Sequence, residues 1–171
     1  MTSRTGAAVV VRRADPPEYA QIGRLTVAAY RADRMIPDGS RYDEQLADAA
    51  ARADGAELLA AVIDGRVVGG VTFCRYGSPF AEISRPGEAE FRMLAVDPSA
   101  RGSGVGEALV RAVLGRARDS GAEAVVLSTP DTALAAHRLY LRLGFVRLPE
   151  RDWEPVAGVR LSAYRFPLAD C

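Results

Sequence analysis

The chain has 171 residues, 49% of them apolar and 26% charged, and its 22 basic and 22 acidic side chains balance to zero. That size and composition suit one globular domain over 1–171, while the missing positive excess argues against a nucleic-acid partner. No run approaches the ~18 apolar residues of a membrane-spanning helix, so no membrane partner is expected either.

All 22 basic residues are Arg, and no Lys or Asn occurs anywhere. Cys74 lies in an apolar run and Cys171 is the last residue, which makes a disulfide framework improbable and a reducing, cytoplasmic location the expectation. The opening "MTSRTGAAVVVRR" holds only a five-residue apolar run and no basic flank of signal-peptide type before it, unlike a secretory leader.

In chain order, "AAVVVRR" predicts a strand, and "PPEYAQIGRLTVAAYRA" a helix opened by Pro and Glu. After the polar "DRMIPDGS" comes a helix from Tyr42 to Arg52. Two apolar runs in "ELLAAVIDGRVVGGVTFCRYG" are joined by Asp64-Gly65, a strong hairpin signal. A strand is expected through "EFRMLAV", a helix from Val105 to Ser120 stopped by Gly121, and a strand at "AVVLST". Asp131 reads as the N-cap of a helix ending at Gly144, and "FVRL" and "VRLSAYRFPL" as closing strands. The class is α/β of the α+β type: a mixed, mainly antiparallel central sheet flanked by helices.

Between the strand "EFRMLAV" and its helix stands Arg101-Gly102-Ser103-Gly104-Val105-Gly106. A glycine-rich turn opening a helix leaves backbone N–H groups free where the helix dipole also favours an anion, so the pattern points to a phosphate site. A tight turn with a surface arginine is the plainer alternative. A Walker loop is excluded because it needs Lys, and a G-x-G-x-x-G dinucleotide loop because Glu107 and Leu109 stand where its last glycine would be.

The loop resembles the Q/R-x-x-G-x-G/A loop of the GNAT superfamily of N-acetyltransferases. Upstream, "MLAVDPSARG" is similar to the family's strand and bulge. Downstream, Ala136, Tyr140, Gly144 and Phe145 match its A-x-x-x-Y-x-x-x-G-F motif. One departure is that the Asn often opening this second motif aligns with Ala133, so a side-chain hydrogen bond to the pantetheine arm would be missing.

The resemblance implies acetyl-CoA as cosubstrate, with no metal, and an amine acceptor that is a small molecule or a peptide. Its pyrophosphate would lie on the amides from Gly102 to Gly106, including Ser103 and Val105, and on Arg101. Its pantetheine would run along Leu94, Ala95 and Val96, the Leu94 N–H facing the thioester carbonyl, with Ala133 and Tyr140 beside it. Tyr140 would protonate the departing thiolate; a core tyrosine is the plainer alternative. Glu90, or Glu88 or a water, would deprotonate the amine, unless Glu82, Glu88 and Glu90 simply solubilise the strand entry. His137 reads as a surface histidine.

The acceptor pocket would be walled by Tyr30, Met35, Ile36, Tyr42 and Trp153. Asp33, Asp38, Asp152 and Glu154 could draw in a cation. A catalytically idle CoA-binding module is the second functional reading, and a phospholigand-binding protein unrelated to CoA the third. Monomer and homodimer both stay open.

Overall fold

The structure, a computed structural model, describes residues 7–37 and 40–168. Strand β1 (Val10–Arg13) is followed by a 3₁₀ turn and helix α1 (Tyr19–Ala32), then by two short helices, α2 (Tyr42–Ala47) and α3 (Ala49–Gly55). The expected helix from Tyr42 to Arg52 is thus broken. Asp48 leaves helical geometry and its carboxylate accepts from Ala51 N at 3.1 Å, capping a new helix.

Strands β2 (Glu57–Ile63) and β3 (Arg66–Cys74) form the hairpin foreseen at Asp64-Gly65. Both turn residues have positive φ, 49° and 76°, as a type I′ turn requires. Strand β4 (Glu88–Val96), helix α4 (Val105–Asp119) and strand β5 (Ala124–Pro130) form the central β-α-β unit. Helix α5 (Leu134–Leu143) and strands β6 (Val146–Arg147), β7 (Trp153–Val156) and β8 (Val159–Pro167) complete the chain.

Asp131 does not cap α5. Its N–H goes to Arg160 O at 3.0 Å, and the helix starts three residues later behind Ala133, which offers no capping side chain. Strand β7 was not foreseen, because Trp153-Glu-Pro-Val carries no alternation and a proline.

The eight strands form one mixed sheet in the order β1-β2-β3-β4-β5-β8-β6, with β7 also paired to β8. Among the described strands only β4 and β5 run parallel, so the expected mainly antiparallel sheet is present. Leu59 and Ala61 of β2 point to the face covered by α4 and α5, while Leu58, Ala60 and Val62 point to the face covered by α1 and α3. Helix α4 lays Val105, Leu109, Val110, Val113, Leu114 and Ala117 on the sheet, a stripe at helical spacing in which each full burial contributes about 1.5–3 kcal/mol for Val or Leu.

Strand β4 changes sides midway. Before Met93, the odd-numbered Ala89 and Phe91 face α4; after it, the even-numbered Leu94 and Val96 do. The cause is a bulge: the β3 register skips between Gly70 and Thr72, and Met93 has φ 59°. The extra residue turns Met93 toward α1 and α2, where it packs with Tyr30 and Leu46.

Candidate active site

The bulge coincides with a split in the sheet. Parallel pairing between β4 and β5 covers only Glu88–Glu90 against Ala124–Val126, whereas β5 stays with β8 as far as Pro130. From Phe91 onward β4 therefore has a free edge on its β5 side, an unusual condition in mid-sheet. A cleft of about 340 Å³ runs through the split. Leu94, Ala95, Val96 and Tyr140 line its depth, and Arg101, Gly102, Gly104, Val105 and Gly106 its mouth. Ser103 and Ala133 do not line it.

Gly104 is the N-cap of α4, in left-handed geometry at φ 78°. A Cβ placed on it would meet no atom within 4 Å. What demands glycine is the backbone angle and the open space above the helix N-terminus, where first-turn N–H groups point out. Arg101 spans the mouth to Asp33, next after α1, in a two-pronged ion pair of 2.6 and 2.9 Å. Both partners are more than a third exposed, so the pair stabilises by only about 0.2–1 kcal/mol and opens easily.

Tyr140 is 4% exposed. Its ring lies edge-on to Phe91 at 5.8 Å and near Phe145 and Tyr164. Burial holds its phenol above the ordinary value, so it is a proton donor at neutral pH. His137 is not a free surface group. Its ring nitrogens engage Tyr164 Oη and, at 3.0 Å, Pro130 O, joining α5 to β5 and β8.

A second cavity of about 400 Å³ opens from the cleft on the α1/α2 side. Tyr30, Met35, Arg92, Met93, Ser128 and Pro130 border both spaces, and Ile36 and Tyr42 border the second. Of the five side chains foreseen for an acceptor pocket, Trp153 alone stands back from it. Its indole N–H reaches Ser128 Oγ at 3.3 Å, placing it behind the wall.

The three foreseen carboxylates among the described residues do not border this second cavity. Asp33 holds Arg101, Asp152 holds Arg147 at 2.6 Å, Glu154 accepts from Gly158 N at 2.7 Å, and Asp38 lies outside the described residues.

Glu90 has 0% exposure. Its carboxylate accepts from the backbone N–H of Glu82, Ile83 and Ser84 at 2.9 to 3.1 Å, and it borders neither space. It anchors the loop before β4. Glu88 is bound by Arg151 at 2.5 Å and Arg165 at 3.3 Å. Neither carboxylate solubilises a strand entry, because both are buried.

Three charged residues that the sequence reading did not single out for the site border the second cavity: Arg41, Glu82 and Arg92. Glu82 forms an ion pair with Arg92, its Oε1 2.7 Å from Nε, and burial lifts its carboxyl above the usual range despite that partner. Arg92 also donates to Tyr42 Oη at 3.0 Å and to Phe80 O at 3.2 Å. The available signal was one guanidinium inside the apolar run "EFRMLAV". Among the described residues no group of three or more His, Cys, Asp or Glu could hold a metal ion, and no helix is long and apolar enough to cross a membrane.

Residues 18–145 match the sequence profile of the acetyltransferase (GNAT) family. An N-acetylaspartate synthetase of Danio rerio is 36% identical over 110 residues, 63% of this chain and 36% of that protein. The chain thus spans about a third of the length of the curated relatives it matches. A GCN5-related N-acetyltransferase from Kribbella flavida superposes with TM-score 0.68 at 26% identity, covering 94% of this chain and 98% of its own. A GNAT family acetyltransferase from Brucella melitensis in complex with acetyl-CoA does so with TM-score 0.64 at 24% identity, covering 96% and 90%.

Proposed function

Since the chain belongs to the acetyltransferase (GNAT) family, we propose that it moves an acetyl group from acetyl-CoA to a primary amine by direct attack, with both substrates bound. The observation that carries this reading is the split between β4 and β5, open to the glycine-rich turn of α4 at one end and to a second cavity at the other. The relative from Danio rerio is named for an N-acetylated product, which supports transfer to nitrogen.

The residues present fit acetyl-CoA. The turn is open where a Cβ at Gly102 or Gly104 would stand, and the free edge of β4 offers main-chain partners to an extended arm. When bound, acetyl-CoA supplies an acyl group already activated as a thioester. The first-turn amides of α4 hold phosphate oxygens, and Arg101 exchanges Asp33 for a phosphate. The Leu94 N–H stabilises negative charge on the carbonyl oxygen under attack. Tyr140 donates its proton to the departing sulfur. Glu82 accepts the amine's proton, directly or through water, since its raised carboxyl is a better base than an ordinary one. Glu90 keeps the loop carrying Glu82 in place.

A catalytically idle CoA-binding module is the second reading, favoured by Ala133, which heads α5 with no polar side chain to offer. Release of free CoA thiol from acetyl-CoA, measured across amines, amino acids, polyamines and peptides, separates the two. Turnover on at least one class supports transfer. Saturable acetyl-CoA binding without thiol release on any of them overturns it in favour of the second reading.

A further inference from the structure

The charges around the second cavity are unlike those expected for a cationic amine. Among the described residues bordering it, two guanidinium groups, Arg41 and Arg92, meet a single carboxylate, Glu82. Arg41 is exposed at the rim. Arg92 sits deeper, its side chain 13% exposed. Its Nε lies 2.7 Å from a Glu82 oxygen in an ion pair, and Nη1 and Nη2 each donate one hydrogen bond, to Phe80 O and Tyr42 Oη, which leaves one hydrogen on each terminal nitrogen for a ligand.

A third guanidinium lies under the floor. Arg52 is 0% exposed and donates to Thr72 Oγ1 at 3.1 Å and Leu46 O at 2.7 Å. Its Nε has no partner, and it forms no ion pair among the described residues. Thr72 stands opposite Arg92 in the β3/β4 register, so Arg52 is attached directly below that residue. Its field reaches the cavity wall: burial raises the Tyr30 phenol, and the charges of Arg92 and Arg52 oppose that rise. A buried guanidinium without a counterion is costly, and an anion entering the cavity would offset that cost.

We infer that the acceptor amine carries a compact oxyanion, a carboxylate or phosphate, and that Arg92 and Arg41 receive it. This rests on the N-acetyltransferase reading above and names the substrate class for the same cavity. The Glu82–Arg92 pair then presents a carboxylate toward the amine and a guanidinium toward the oxyanion, the arrangement an α-amino acid zwitterion matches. A polyamine would set several ammonium groups against an excess of positive charge.

The test uses matched pairs differing by the anionic group: phenylalanine with phenethylamine, tyrosine with tyramine, and phosphoethanolamine with ethanolamine. Thiol release from acetyl-CoA gives KM and kcat for each. Binding is read separately from the fluorescence of Trp153, the only tryptophan, whose indole is bonded to the cavity residue Ser128.

The oxyanion-bearing member of at least one pair should show a KM and a dissociation constant at least ~10-fold lower than its counterpart. Phosphoethanolamine and the amino acids separate the two oxyanions. Arg41→Gln, a change at an exposed position, should shrink the preference about 3-fold or more through KM, with kcat nearly unchanged. Arg92→Gln should shrink it further where it folds. Equal binding within every pair, or preference for the anion-free member, overturns the inference while leaving acetyl transfer standing. Preferential binding of the oxyanion without thiol release overturns acetyl transfer and leaves the anion site in place.

Discussion

Tyr140 is closed off by three aromatic neighbours and still borders the cleft, so packing and proton donation make different demands on it. Tyr140→Phe keeps the ring and removes the hydroxyl. The melting temperature should hold while kcat falls by about 10²- to 10⁴-fold, as for loss of a general acid. The fall should be smaller with a thioester whose thiol is more acidic than CoA. A lowered melting temperature with kcat intact would return the residue to the core.

Glu82 differs from Glu90 in what its oxygens are free to do. In Glu82→Gln the acidic limb of the rate profile, which should lie above the ordinary carboxylate range because burial raises this carboxyl, is expected to disappear, with acetyl-CoA affinity unchanged. If the wild-type profile survives, proton removal belongs to water alone.

At the scale of elements, the N-terminus of α4 and the bulge of β4 act together. One presents amides outward, and the other turns the strand edge to the same space. Gly104→Val should weaken acetyl-CoA binding at least ~10-fold by calorimetry, about 1.4 kcal/mol. The added side chain would stand where the proposed function has phosphate oxygens approach, at φ 78°, an angle it tolerates poorly. Unchanged affinity with an intact circular dichroism spectrum would remove the turn from the site. Helices α1 and α2 meet with comparable closeness, since a Cβ on Gly23 would stand 2.1 Å from Ala47 O. That contact fixes how Tyr30 and Tyr42, on separate helices, come to share one wall at 6.3 Å between ring centres.

Over the whole molecule, acid should act through carboxylates that cations hold ionised. The hydrogen bond from Arg147 lowers the Asp152 carboxyl. Burial alone would raise Glu88, but Arg151 and its other donors outweigh it and the net shift is downward. Folded values below unfolded ones contribute stability that is fully present above the unfolded pKa and is lost as pH falls through the folded one. The urea midpoint should therefore decline steadily below about pH 4, close to the unfolded values, and Asp152→Asn should flatten the decline. A midpoint independent of pH over that range would show that these pairs do not stabilise the fold.

The architecture was readable where one local rule acted alone: the Asp64-Gly65 turn, the glycine stop at Gly144, and the stripe of α4. It was not readable where a contact outside the apolar pattern set an element's end. The N–H of Asp131 is bound to Arg160 O and α5 begins only at Leu134, behind Ala133, while the helix begun at Tyr42 was cut by the cap that Asp48 offers to Ala51. For the candidate site, spacing singled out the loop and Tyr140, which the fold brings to one cleft, but it could not sort the carboxylates. Glu82, Glu88 and Glu90 look alike in sequence, and only the fold decides which is bound by backbone amides, which by arginines, and which borders a cavity.

The free edge of β4 also sets a clock. Amides between Phe91 and Val96 that point away from β3 lack a sheet partner, so in the free protein they should trade hydrogen for deuterium far faster than those of Glu88–Glu90, the stretch that is paired with β5. An extended ligand lying in the split would take up those bonds, and exchange along one short stretch would slow while the rest of the sheet kept its rate. The strand thereby reports its own occupancy amide by amide, before any chemistry takes place.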